Sequence, residues 1–496
     1  MAKEAPLTPP VGGSDDPEYA ANLRRATLAS TAGSALEYFD FALYGLASAL
    51  IFSKLFFSNL DPATGLIASF ATFGVGFLAR PLGGLFFGTI GDRLGRKWVL
   101  VVTILLMGGS STLVGALPTY ETIGVWAPIL LVFLRLCQGF GAGAEQAGAT
   151  VLMAEYSPVK RRGFFAALPF IGIQAGTLLA AGVFAYLGGL PEDVLLGWAW
   201  RVPFLASVIL ILIALIIRLR LKESPTFVEL EKQHQVAEHP MREIFSHSRG
   251  SVLRGIGLRM GENGGSYLFN SLAVAFATGT IMVNKSVGPI AVAVASLIGI
   301  FSVPLAGWVS DRVGRVPVYR FGALVLLVLA FPGWYLISLG QTWLVILVIA
   351  VAIGFGVNTM LGSQCALLPE MFGNRHRYLG VAVSREFSAV IAGGLAGVLG
   401  AYLIKVSGGS WVPLGAYTFV LAAITWPPPS SRRRRANVIS RGSTTRSTTR
   451  PRHRSHDEFV RSHRAERAGH RIEPGYWARV GPRPAGGRCS GGRARS

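Results

Sequence analysis

The sequence predicts an all-α membrane protein made of two six-helix pseudo-repeats, with the twelfth helix truncated or frame-disrupted. Three observations carry that reading. Of 496 residues, 51% are hydrophobic and only 15% are charged, and mean hydropathy is +0.47, a balance that few water-soluble domains approach. Runs of about 20 apolar residues recur, each long enough to cross ~30 Å of hydrocarbon as a helix. Finally, two charged landmarks repeat. "GDRLGRK" at Gly91 returns as "SDRVGRV" at Ser310, with Asp92 and Asp311 separated by 219 residues. "AEYSPVKRRG" at Ala154 is echoed by "PEMFGNRHRYLG" at Pro369, with Glu155 and Glu370 separated by 215. Nearly equal offsets mean that six helices were duplicated in parallel.

The first 26 residues are polar and have no apolar core, so they read as a cytoplasmic leader rather than a cleaved signal peptide. Spans follow near 27–52, 63–89, 98–117, 125–155, 163–188 and 199–219, filling the first half to residue 219. A charged linker, 220–253, separates the halves. The second half, 254–426, holds spans near 254–282, 288–310, 319–339, 342–366 and 378–404, and a twelfth that begins near 411 and stops at Trp426. Residues 427–496 contain eighteen Arg, no Lys and four acids, a net +14 of the chain's +21, which leaves +7 for the membrane body. By composition this is a disordered basic tail, for which nucleic acid or anionic lipid would be the partners. Its abrupt onset inside a helix reads better as translation of a GC-rich gene in the wrong frame. No specific nucleic-acid partner is expected.

Lys and Arg between spans set orientation. Arg24 and Arg25, Arg93, Arg96 and Lys97, Lys160 to Arg162, Arg218 to Lys222, Arg312 to Arg320, and Arg375 and Arg377 all fall on one side, whereas the other side holds little beyond Lys54, Lys285 and Lys405. By the positive-inside rule the N-terminus is cytoplasmic. Cys137, Cys365 and Cys489 have neither paired nor metal-type spacing, and there is no phosphate-binding Gly-rich loop or HExxH motif. No metal, cofactor or enzymatic activity is expected.

The loop "GTIGDRLGRK" from Gly88 fits G-x-x-x-D-R-x-G-R-[RK] and resembles the signature of the major facilitator superfamily. "GSALEYFDFALYG" in the first span, "RLCQGFGAGAEQAGA" in the fourth and "GWAWRVPF" entering the sixth narrow the likeness. Together with "LFFSNLDPATGLIASFATFGVGFLARPLGG", they resemble the metabolite:proton symporters and the branch that includes shikimate transporters, over residues from about 20 to 425. The resemblance implies the major facilitator fold, a monomer in the cytoplasmic membrane, and proton-coupled uptake of a small organic acid by alternating access. It further implies a cytoplasmic gate at Gly88, Asp92, Arg93 and Arg96, with Asp311 and Arg312 as the second-half counterparts. Relatives carry dicarboxylates, tricarboxylates, shikimate or zwitterionic osmolytes, so the substrate stays open. The rivals are uptake of proline or betaine, a drug:proton antiporter, and a sensor that binds without transporting.

Ionisable groups at membrane depth cost ~2.5–3.5 kcal/mol each on insertion scales and so require a partner, a watery cavity or a function. Glu37 lies twelve residues past Arg25, about 18 Å along the helix and near the midplane. Asp40 follows one turn further out, and Glu37, Asp40, Phe41 and Tyr44 share a face expected to line a cavity. Arg80, twelve residues before Asp92, reaches the same depth, and its planar fork suits Glu37, Asp40 or a substrate acid. The fourth span adds Arg135, Gln138 and Glu145, and the fifth adds Gln174, a hydrogen-bonding group for a hydroxyl-rich substrate. In the second half Arg259 with Glu262, and Arg385 with Glu386, are expected as structural ion pairs. Coupling would arise because a substrate anion that takes the Arg from its carboxylate makes protonation of that carboxylate favourable. Glu37 is the acid nearest the centre, with Asp40 as its outward partner.

Overall fold

The computed structural model describes residues 17–94, 96–143, 153, 157–220, 249–372 and 377–426, and the side chains of 88–100 lie outside the described residues. The described membrane helices lie in the compact unit Met1–Pro429. Helix α1 spans Pro17–Leu50, α2 Pro62–Leu94, α3 Arg96–Ala116, α4 Trp126–Ala142, α5 Arg162–Leu187 and α6 Arg201–Arg220. In the second half α7 begins as Arg249–Tyr267 and runs on through Leu268–Leu272 and Phe276–Thr280, α8 spans Val287–Val313 and α9 Arg315–Ser338. Three more complete the described helices: α10 over Thr342–Glu370, α11 from Arg377 to Val406, and α12 over Val412–Ile424. No strand occurs among the described residues.

Seven of these helices are long and apolar enough to cross a membrane by length and composition. Their outer faces carry side chains such as Phe301, Val328 and Trp343, each more than 60% exposed, as a lipid-facing surface requires. Helix α12 has only 13 residues, about 20 Å of rise, so it is the short last helix that the sequence predicts. The tail 427–496 lies outside the described residues.

Several helices depart from regular α geometry in mid-membrane. Wide π-type turns occupy Leu268–Leu272 in α7, Ala352–Val357 in α10 and Ala389–Gly394 in α11. Such turns free or re-aim backbone and side chains, and they concentrate at functional positions. All three belong to the second half.

Within the first half α1 packs on α5, α2 on α4 and α3 on α6; within the second α8 packs on α10, α9 on α12 and α7 on α11. The halves meet along two seams, α5 against α8 and α2 against α11. Each seam is a glycine crossing. A Cβ on Gly163 would stand 2.5 Å from the Gly307 carbonyl oxygen, and one on Gly74 would stand 2.5 Å from that of Gly394. Only hydrogen at these positions lets the helices approach so closely.

Ion pairs join the halves at the face opposite the α1 entry, here called the far face. Glu192 pairs with Lys54 in its own half and with Lys285 of the second half at 3.1 Å. Lys405 at the end of α11 reaches Asp61 at 3.6 Å and the Thr64 hydroxyl at 2.5 Å. The three isolated far-side lysines of the sequence are therefore all engaged. The Thr64 hydroxyl and amide donate to Asp61 and hold its carboxyl below the usual carboxylate range. A depressed carboxyl keeps its charge and loses the pairing only as pH falls through the lowered value. Fluorescence distances across the far face should thus stay constant between about pH 7 and pH 5. Asp61→Asn should widen them, and a wild-type distance change over that window would refute this.

On the near face Asp311, at the end of α8, accepts hydrogen bonds from the backbone amides of Gly163 at 2.8 Å and Phe164 at 2.9 Å. These are first-turn donors of α5, so a second-half carboxylate caps a first-half helix. Arg315 braces Asp311 at 2.6 Å and reaches Glu370 at 3.4 Å.

Candidate functional site

A cavity of about 50 Å³ lies between the halves, with inter-half contacts at both faces of the protein. Its first-half wall comes from Tyr38, Phe41, Ala42 and Leu46 on α1, Phe73 on α2, and Ile173, Gln174 and Thr177 on α5. Its second-half wall is mainly one face of α7: Glu262, Asn263, Ser266, Tyr267, Asn270 and Ser271, completed by Val292 of α8 and Ile353, Val357, Asn358 and Leu361 of α10. One wall is thus rich in rings, the other in amides and hydroxyls. That volume holds a few water molecules.

Gln174 lines the cavity. Its Nε2 donates to Asn358 Oδ1 at 2.9 Å, and Asn358 Nδ2 returns a bond to Gln174 Oε1 at 3.4 Å, a reciprocal amide pair across the two halves. Gly299 on α8 makes room for it: a Cβ there would lie 2.4 Å from Gln174 Oε1 and 2.5 Å from Asn358 Nδ2.

Glu37 and Arg80 do meet, with Arg80 Nη2 donating to Glu37 Oε1 at 3.2 Å. The other edge of the guanidinium is taken by an acid that sequence reasoning had assigned elsewhere: Arg80 Nε donates to Glu386 Oε2 on α11 at 3.0 Å. All three side chains are buried, and the guanidinium also lies 5.0 Å from the Phe41 ring centroid. One cation therefore ties α1 and α2 of the first half to α11 of the second. Glu386 could have been found by the depth count that located Glu37, since it lies eleven residues past Arg375.

Asp40 does not reach Arg80; it accepts from the Ser207 hydroxyl of α6 at 3.3 Å. Tyr44 turns to α2, where its hydroxyl donates to Thr72 at 2.9 Å. The cavity face of α1 is therefore Tyr38, Phe41, Ala42 and Leu46, one residue out of phase with Glu37, Asp40 and Tyr44. One position turns a helix by about 100°, so these three point into the first half rather than the cavity.

Arg135 is fully buried against α1 and α2. Its guanidinium carbon lies 4.8 Å, 4.3 Å and 4.7 Å from the ring centroids of Phe41, Tyr44 and Phe73. It donates to Gln138, which donates in turn to Ser111 at 2.5 Å. Ring faces and an amide thus take the place of a carboxylate partner. Neither Arg135 nor Gln138 lines the cavity. Glu145 lies outside the described residues, as do the side chains of Gly88, Asp92, Arg93 and Arg96. Of the second-half gate residues, Asp311 makes the inter-half contact above, while Arg312 is exposed and lies over the Trp308 ring at 3.6 Å.

In the second half Arg259 pairs with Glu262 at 3.4 Å, as the sequence predicts, and donates to Ser388 at 3.0 Å and Asn263 at 3.3 Å. Arg385 packs over the Phe170 ring at 5.5 Å. The buried charges among the described residues are four carboxylates (Glu37, Asp40, Glu262 and Glu386) and four guanidinium groups (Arg80, Arg135, Arg259 and Arg385). They balance.

Residues 26–251 match the family described as "Sugar (and other) transporter", and residues 258–464 match "Major Facilitator Superfamily". The chain is 37% identical to the shikimate transporter of Escherichia coli over 402 residues, covering 79% of this chain and 91% of that protein. It is 36% identical to the proline/betaine transporter of Salmonella typhimurium over 436 residues, covering 85% of this chain and 86% of the other. The fold matches that of the E. coli xylose transporter in a partially occluded inward-open conformation, with TM-score 0.64, 18% identity, and coverage of 82% of this chain and 98% of that one. With these matches over both six-helix halves and a polar cavity at their junction, the chain belongs to the major facilitator superfamily and is a multi-pass membrane transporter of small metabolites, not an enzyme.

Proposed function

We propose that the protein takes up a small organic acid together with a proton, by alternating access in the cytoplasmic membrane, as a monomer with its N-terminus in the cytoplasm. The observation that carries this reading is the balance of buried charge. Among the described residues four buried acids are matched by four buried guanidinium groups. A monoanion in the cavity upsets that balance, and one proton restores it, so the neutral loaded carrier forms only when both are aboard. Amides and hydroxyls of α5, α7 and α10 supply hydrogen bonds for a hydroxylated acid. Arg80, with Glu37 and Glu386, forms the charged floor toward the near face; Asp40, Tyr44, Arg135 and Gln138 buttress the α1 wall. Asp311 with the α5 amides forms the cytoplasmic gate, together with Gly88, Asp92, Arg93, Arg96 and Arg312.

A second reading, uptake of a zwitterion such as proline or betaine, is favoured by one feature: the rings of Tyr38, Phe41, Phe73 and Tyr267 line the cavity beside the Glu262 carboxylate. Proteoliposomes separate the readings. Radiolabelled shikimate, 2-oxoglutarate, citrate and betaine are offered under an inside-alkaline pH gradient, with and without a membrane potential. Symport of a monoanion with one proton moves no net charge, so accumulation of shikimate should follow the pH gradient and ignore the potential. Betaine uptake driven by the potential would establish the second reading. Uptake indifferent to the pH gradient would overturn the first, and binding without accumulation would mark a sensor.

A further inference from the structure

Of the four buried carboxylates among the described residues, only Glu262 lines the cavity. Glu37 and Glu386 are committed to opposite edges of Arg80, and Asp40 to Ser207. Glu262 is held more loosely. Its Oε2 is buried without a hydrogen-bond partner among the described residues and meets Arg259 Nη1, likewise without one, at 3.4 Å. Arg259 itself is fixed, because Nε is held by Ser388 and Nη2 by Asn263. A cation anchored at two nitrogens thus faces, through one long contact, a carboxylate that lines the cavity.

Resting on the symport reading above, we propose that Glu262 is the proton-binding acid of the transport cycle, and that Arg259 receives the substrate carboxylate when Glu262 takes the proton. A proton arriving through the cavity adds to a Glu262 carboxylate oxygen and forms a neutral carboxyl group. Arg259 then carries an unmatched charge at the cavity wall, which the substrate carboxylate neutralises. Departure of the substrate restores the ion pair and returns the proton to water. Other titratable or charged groups surround the pair: Arg385 and Glu386 on α11, Tyr319 on α9, Cys365 on α10, and Tyr267 on α7 itself. Arg385 strengthens the positive field that welcomes the anion. Arg80 is excluded from this exchange because both edges of its guanidinium are already held by carboxylates.

The test uses the full-length protein in lipid. Infrared difference spectra on acidification should show a protonated-carboxyl band that is lost in Glu262→Gln and kept in Glu37→Gln; an unchanged band in Glu262→Gln would overturn the proposal. In proteoliposomes, accumulation of radiolabelled shikimate under a pH gradient should fall about tenfold or more in Glu262→Gln, within the range of ordinary site coupling. Exchange of shikimate should lose its pH dependence in that variant and regain it, at shifted pH, in Glu262→Asp. Wild-type accumulation in Glu262→Gln would also overturn it. If Glu262→Gln fails to elute as a folded protein, Glu262→Asp and Arg259→Lys decide: a shifted pH profile supports the pairing and an unshifted one refutes it. If wild-type protein carries none of the four substrates with a proton, the symport reading falls, while the infrared band still settles whether Glu262 binds the proton.

Discussion

Arg80→Ala should abolish measurable uptake and lower stability by about 3–5 kcal/mol, the cost of leaving a buried ionic partner uncompensated. Here two partners are stranded. Glu37 and Glu386 approach different nitrogens of one guanidinium, at 3.2 Å and 3.0 Å, and all three groups are buried. Without the cation, two like charges from opposite halves would face each other in low dielectric, so the junction would spread or the acids would protonate. Arg80→Lys keeps the charge but not the fork. An ammonium cannot address both carboxylates in one plane, so this variant should fold yet transport about ten to a hundredfold more slowly. Comparing Glu37→Gln with Glu386→Gln separates the roles. Both relieve the excess acid, but only Glu386→Gln weakens the tie between halves and should speed exchange between inward- and outward-open states. Melting in detergent and uptake in proteoliposomes are the measurements, and an Arg80→Ala protein with wild-type values in both would refute the clamp.

The depth of the charges is the most legible feature of the sequence, because hydrocarbon penalises them so strongly that a count from the charged loop at the helix end sets the level expected for each one. That count brings Arg80 level with Glu37, leaving Glu37, Asp40 or a substrate acid as its partner, and the fold gives it Glu37. Rotation about the helix axis was harder. On α1, Glu37, Asp40 and Tyr44 lie one residue from the cavity-lining set, a difference invisible in a segment whose apolar residues surround it on all sides; buried helices have almost no amphipathic signal to set their phase. Pairing between halves was hardest. Glu386 sits beside Arg385 in the chain, so the local reading joined them, whereas the fold sends Glu386 across the α2/α11 seam to Arg80. Glu262 shows the same limit: its contact with Arg259 is local and was expected, but its place on the cavity wall depends on how α7 faces α1 and α10. The internal repeat was readable because duplicated loops preserve charged landmarks, and those loops flank the two seams.

Gly299→Ala should cut uptake about tenfold and destabilise the protein by about 1–3 kcal/mol, the cost of buried amides left without partners. A Cβ at this position would stand 2.4 Å from Gln174 Oε1 and 2.5 Å from Asn358 Nδ2, between the two amides that bridge the halves. The obstruction is side-chain ends, so the backbone can stay in place while Gln174 and Asn358 are pushed apart. The contrast is Gly176 on α5, where a Cβ would meet the Ala35 carbonyl oxygen at 2.1 Å; that helix contact cannot yield, and substitution there should prevent folding. Because Gly299 acts through the amide pair, its effect should vanish when the pair is already gone. In a Gln174→Ala background, Gly299→Ala should therefore cost little more, giving a coupling energy about equal to the single-variant loss. Additive losses in uptake and stability would mean that Gly299 matters through packing of α8 and that the amide pair is incidental. Near-complete coupling would instead identify the Gln174–Asn358 bridge as the contact that substrate must replace, since a hydroxylated ligand in the cavity offers both amides the same hydrogen bonds.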